Sequence, residues 1–154
     1  MCIRDSVEAV RLLARDLLSD RDPRADVGLE GWGRLLGSEH GHNLAAAAIR
    51  KHFGARELTT DWFRERLLSG DDTVFEFASD LLVKVHPLNK LGAAFFRDLL
   101  DDDRLDQDVA DWAMETLGRF SPDELGIEAI RRLLVHPRTW SQACLLYTSP
   151  SPRD

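Results

Sequence analysis

The sequence predicts an all-α chain: a right-handed α-solenoid of short antiparallel helix pairs with a period of about 32–34 residues. Three observations carry that prediction. The dipeptide Leu-Leu recurs at Leu35-Leu36, Leu67-Leu68, Leu99-Leu100 and Leu133-Leu134, at spacings of 32, 32 and 34 residues. Columns around it repeat in the same register. Gly28, Thr60, Gly92 and Gly126 stand eight residues before the second leucine, and Trp32, Arg64, Phe96 and Ile130 four before it. Each of the first three Leu-Leu pairs leads into a polar turn and a second segment with apolar residues three and four apart, the spacing of one helix face.

In chain order, a first helix over about Val7–Leu18 fits the second half of an earlier unit. The first helix of each later pair ends on its Leu-Leu, and polar turns are expected over 37–43, 69–73 and 101–105. The second helices carry Leu44, Ala47, Ala48 and Phe53, then Val74, Ala78, Leu81, Leu82 and Val85, then Val109, Ala113, Met114 and Leu117. Ala47, Ala78 and Ala113 are small enough to let neighbouring helices approach closely. Asp72 or Thr73 reads as one N-cap and Asp106 as another, because a short polar side chain can satisfy the free N–H groups of a first turn. Pro87 and Pro122 stop the second helices, since proline lacks the N–H that a helix interior needs. A helix of about ten residues is marginal alone. Each pair must therefore bury its apolar face against the next.

This pattern resembles HEAT-type repeats over roughly Val27 to Trp140. Within it, LAAAAIRKHFGAREL (44–58) and LLVKVHPLNKL (81–91) resemble the helical repeat region of large bacterial proteins with a WGR module or a molybdate-regulator-like architecture. That resemblance implies a helical repeat fold and transfers no catalytic residue. The triplet Trp32-Gly33-Arg34 spells the module's name, but its flanks are helical, whereas the module requires alternating strands.

The two ends resemble something else. MCIRDS (1–6) and CLLYTSPSPRD (144–154) are similar to the translated strands of a transposase-type sequencing-library adapter. ATG TGT ATA AGA GAC AG plus one base encodes the first. Its reverse complement, read from the second base as TGT CTC TTA TAC ACA T, encodes Cys144 to Thr148 and opens a codon that suits Ser149. The expected organisation is adapter-derived residues at 1–6 and 144–154, the latter without fixed structure. Between them lies a metagenomic helical-repeat fragment at 7–143, open at both ends.

Composition then bounds the function. Both cysteines, Cys2 and Cys144, fall in the adapter-like ends, which removes disulfides, thiolate catalysis and cysteine zinc sites from the fragment. Those ends hold two acids and two bases, so the net charge of −7 is unchanged by setting them aside. An acidic balance disfavours nonspecific nucleic-acid binding, which needs a concentrated basic face. No apolar run approaches the roughly 18 residues of a membrane span. A cysteine-free, leucine- and arginine-rich acidic chain fits a bacterial cytoplasmic protein.

No sequence signature of an enzyme is present in 7–143, and no cofactor is expected. The expected function is a non-catalytic protein-interaction or scaffold segment of a larger bacterial protein, its partner another protein or neighbouring domains of the same chain. Arg34, Trp62, Arg66, Phe77 and Trp112 are the candidate contact residues, because an aromatic ring beside arginine is a common interface anchor. Adjacent aromatics on one helix are expected to leave one ring exposed, at Trp62 or Phe63 and at Phe75 or Phe77. Arg34, Arg66 and Arg132 share a repeat column that reads as a possible ladder for carboxylate or phosphate. Glu39, His40 and His42 are metal-ligand types on a turn, short of the ligand number a zinc site needs, and no metal is assigned. The run Asp101-Asp102-Asp103, with Asp106 and Asp108, lacks the order of a calcium loop; a solvated, helix-capping turn is expected there. His86-Pro87 and His136-Pro137 read as helix ends. The alternative function is a HEAT-like DNA glycosylase or nucleic-acid-binding solenoid, with Trp62, Trp112 and Asp111 as its nominal residues.

Overall fold

The computed structural model describes residues 22–127 and residue 131. The Val7–Leu18 helix, Ile130, Arg132, Leu133-Leu134, His136-Pro137, Trp140 and both adapter-like ends lie outside the described residues. The described residues form eight helices and no strands: α1 (Pro23–Asp26), α2 (Gly28–Leu36), α3 (His42–His52), α4 (Thr60–Leu67), α5 (Asp72–Val85), α6 (Leu88–Leu100), α7 (Gln107–Leu117) and α8 (Pro122–Leu125). They pack in adjacent pairs, α2 on α3, α4 on α5 and α6 on α7. No described helix is long and apolar enough to cross a membrane.

Each pair is entered through a single helical turn, and the turn explains the glycine column. Pro23 opens α1, with Asp22 accepting from the Arg24 amide. Ser121 and Glu124 form a reciprocal capping box around α8, which Pro122 opens. Pro87, extended, precedes the first turn of α6. These turns end at Gly28, Gly92 and Gly126 with φ of +68°, +70° and +75°. A side chain rarely adopts that backbone. A Cβ at Gly28 or Gly92 would meet nothing within 4 Å, so conformation and not space selects glycine there. In the second pair a turn closed by Leu58 N–H to the Gly54 carbonyl (2.9 Å) leads instead to extended Thr59, whose hydroxyl accepts from the Trp62 amide. A threonine cap thus replaces the glycine elbow, and burial in α4 runs one residue early. Phe63, fully buried, holds the place of Trp32 and Phe96. The sequence column had put Arg64 there; it is half-exposed and faces the third pair.

The second helices share an inner face. Ala45, Ala78 and Ala113 are each 0% exposed, and Ile49, Leu82 and Leu117 follow four residues later at 1% or less. The close-approach alanine of the first pair is therefore Ala45, where Ala47 was expected; Ala47 is exposed because α3 begins at His42 and turns Ala45, Ala46 and Ile49 inward. Capping differs by one position too. Asp71, extended just before α5, accepts from the Val74 amide at 3.0 Å, so it and not Asp72 or Thr73 is the N-cap. Asp106 caps α7 as expected, accepting from Val109 N–H at 2.9 Å.

Two contacts close a pair on itself across 28 positions. Arg24 Nε donates to the His52 carbonyl, and His86 Nε2 lies 2.6 Å from the Leu58 carbonyl. In each, the end of the second helix is tied to the turn that precedes the first.

Candidate interaction surface

The cations on the first helices reach toward neighbouring pairs. Arg66 Nη2 donates to Glu30 at 2.8 Å, from α4 to α2. Arg64 Nη2 donates to Asp102 at 3.0 Å and to the Asp98 carbonyl at 3.2 Å, from α4 toward α6 and its following turn. Arg104 returns a fork to Glu65, with Nη1 and Nη2 at 3.0 and 3.2 Å from its two carboxylate oxygens. On the second helices Arg50 meets Asp80 at 3.5 Å. These links span 30 to 39 positions, close to one sequence period. Arg97 Nη1, on α6, reaches the Leu125 carbonyl of α8 at 3.1 Å.

Asp102 is the centre of an ion cluster with Arg64, Arg104 and Glu65. Its side chain is only 12% exposed and holds both Arg64 and Arg104. Hydrogen bonds from the Arg104 guanidinium, then from its backbone N–H, hold the carboxyl well below its ordinary range. The Arg104 guanidinium likewise lowers Glu65. The solvated turn expected at Asp101–Asp103 is thus half right: Asp101 and Asp103 are exposed, while Asp102 is an inter-pair anchor. Sequence windows miss this because Arg64 lies 38 residues from Asp102, and Arg104, two residues from Asp102, reaches Glu65 39 residues away; the one available signal was opposite charge at slightly more than one period.

The five candidate contact residues separate into distinct places. Arg34 is exposed on α2. Trp62 and Arg66 form one cluster, the guanidinium 5.1 Å above the indole ring. Phe77 is buried at 4% exposure beneath the Arg50 guanidinium (4.8 Å) with the His42 ring edge-on at 6.2 Å. Trp112, half-buried, packs on Phe96 and edge-on to Phe75. The expected exposed ring is not found in α4, where Trp62 and Phe63 are both buried. Phe63 points into the core and meets His86, while Trp62 stacks edge-on against Phe63 and is roofed by Arg66. In α5 the split does occur, with Phe75 half-buried and Phe77 inside.

The histidine turn borders an open cleft of about 490 Å³ between the turns of the first two pairs, where Glu39 and His42 meet Asp71 and Thr73. His42 Nδ1 is occupied by the Leu36 carbonyl at 2.8 Å, and His40 is exposed outside the cleft. Among the described residues no three acidic, histidine or cysteine side chains converge on a metal-sized site. Asp111 accepts from Gln107 Nε2 at 2.7 Å on its own helix.

No family model, curated protein or solved structure matches the chain.

Proposed function

We propose that the chain is a segment of a right-handed, HEAT-like α-solenoid that acts as a non-catalytic protein-interaction or scaffold segment of a larger bacterial cytoplasmic protein. The same reading takes residues 7–143 as the functional chain and the adapter-like ends as foreign to it. The observation that supports it best is the set of side-chain links about one period long, Glu30–Arg66, Arg64–Asp102 and Glu65–Arg104. Helix pairs tied each to the next suit a stack with nearest-neighbour interfaces, and such stacks present long shaped surfaces to protein partners. Those links also favour a protein partner over a nucleic acid, because Arg50, Arg64, Arg66 and Arg104 are already engaged by carboxylates.

The test is photo-crosslinking in a bacterial extract from probes at exposed Arg34 and Ala47, with duplex-DNA titration of the same chain. The expected result is discrete protein adducts that survive competition by nucleic acid, and no duplex binding at low or moderate salt. Duplex binding with a steep salt dependence, or adducts that are nucleic acid alone, would transfer support to the nucleic-acid reading.

A further inference from the structure

Between the turns of the first two pairs, the open cleft of about 490 Å³ has a polar lining of Ser38, Glu39, His42, Asn43, Asp71 and Thr73, and no lysine or arginine borders it. The role of its histidine is fixed. The Leu36 carbonyl can only accept, so His42 Nδ1, 2.8 Å away, carries a proton and donates it. Nε2 of the neutral ring is then an acceptor, and it has no hydrogen-bond partner among the described residues. Asp71 uses one carboxylate oxygen to cap α5 at the Val74 amide. Its other oxygen lies beside Gly37, where an added Cβ would be 3.5 Å from it. Glu39 is exposed and makes no ion pair among the described residues. Full charges set the sign of the cleft. The helices α3 and α5 begin beside it and α2 ends there. Two helix N-termini and one C-terminus leave about half a positive charge, which two carboxylates outweigh. An acceptor-rich, negative cleft suits a cation that carries several N–H groups.

We propose that this cleft receives a basic side chain, arginine or lysine, of a protein partner. The Glu39 carboxylate and the free oxygen of Asp71 neutralise the cation, and His42 Nε2 accepts one of its N–H groups. Gly37 keeps the approach to Asp71 open. The inference rests on the protein-interaction function proposed for the chain and names the chemistry of its partner.

The test follows the histidine ring resonances of the whole chain, with His42→Gln identifying those of His42. The probes are acetylated and amidated Gly-Gly-Arg-Gly-Gly, the same peptide with uncharged citrulline for arginine, and inorganic phosphate. The arginine peptide is expected to shift the His42 resonances saturably, and the other two are not. Glu39→Gln, at an exposed position, should weaken peptide binding roughly threefold through loss of one ion pair. Asp103→Asn removes an equal charge from the exposed turn of the third pair and should leave binding unchanged. Gly37→Leu keeps every charge and enters a backbone of ordinary φ, −79°; its side chain should fill the approach to Asp71 and abolish the shift. Unmoved His42 resonances, equal shifts by the citrulline peptide or phosphate, equal losses in Glu39→Gln and Asp103→Asn, or undiminished binding by Gly37→Leu would each overturn the proposal. If the peptide leaves His42 unmoved while crosslinked protein adducts persist, the interaction reading stands and this site falls. Peptide binding at the cleft without any protein adduct would overturn the interaction reading and, with it, the partner named here.

Discussion

Gly28 and Gly92 hold the same left-handed turn at equivalent points of the first and third helix pairs, with φ of +68° and +70°. Each sits between a single helical turn and the first helix of its pair, with open space where a Cβ would go. Alanine at either position should cost about 1–3 kcal/mol through backbone strain alone. The two effects should add, because the sites are distant. Gly54 also faces open space but carries no such φ, so Gly54→Ala should be neutral or slightly stabilising. Denaturant melts of the three variants check both directions.

Much of this frame was legible in the sequence, and the losses have specific causes. The Leu-Leu period and the glycine column follow from helix geometry and from a backbone that only glycine adopts readily. The Arg64 column slipped because Thr59 caps α4 without an elbow and moves the buried face to Phe63. The expectation that Trp62 or Phe63 leaves one ring exposed follows from the rule that one helix buries one face. Their helix packs on α5 along one side while Arg66 roofs another, so both aromatics are covered. The Arg66 and Trp62 pairing could be suspected from their spacing of four, but the ion pair that ties Arg66 to α2 could not. It depends on Glu30, 36 positions away.

Asp102 should make the fold acid-sensitive in a particular window. Its carboxyl is held ionised below the ordinary value of 3.8 by the arginines around it. A depressed folded-state value means stabilisation that is fully present above the ordinary value and is lost progressively as pH falls below it toward the folded-state value. Asp102→Asn should therefore lower the melting temperature at pH 7 by roughly 4 °C, the shift that about 1 kcal/mol gives a domain of this size. The gap between variant and wild type should be full at neutral pH, narrow as pH falls below about 4 and close at still lower pH. Thermal melts across that range decide it.

Phe95 and Phe96 are adjacent and in edge-on contact, with ring centroids 5.3 Å apart, but only Phe96 is fully buried. Phe96 also touches Trp112 and Phe120, so it joins α6 to α7 and the turn beyond. Phe96→Ala should cost about 3–5 kcal/mol by transfer and cavity formation. Phe95→Ala should cost less than half as much. Equal losses would contradict the burial pattern.

Residues 144–154 are proposed to be foreign to the functional chain. Deleting them should leave the unfolding free energy of the chain within about 0.5 kcal/mol of the intact value, the usual range for changes that break no packed contact. Chemical denaturation of the truncated chain measures this.

The most direct test of the stacked-pair account is distance along the second helices. Ala47, Asp80 and Glu115 each lie two residues past the buried alanine of their helix, and all three are exposed. With Cys2 and Cys144 replaced by serine, spin labels can be placed pairwise at these three positions. Neighbouring helices pack roughly 8–10 Å apart. Stacked pairs therefore require the 47–115 separation to be about the sum of the 47–80 and 80–115 separations. A 47–115 distance no longer than either neighbour distance would mean a closed bundle, and the solenoid account would be wrong.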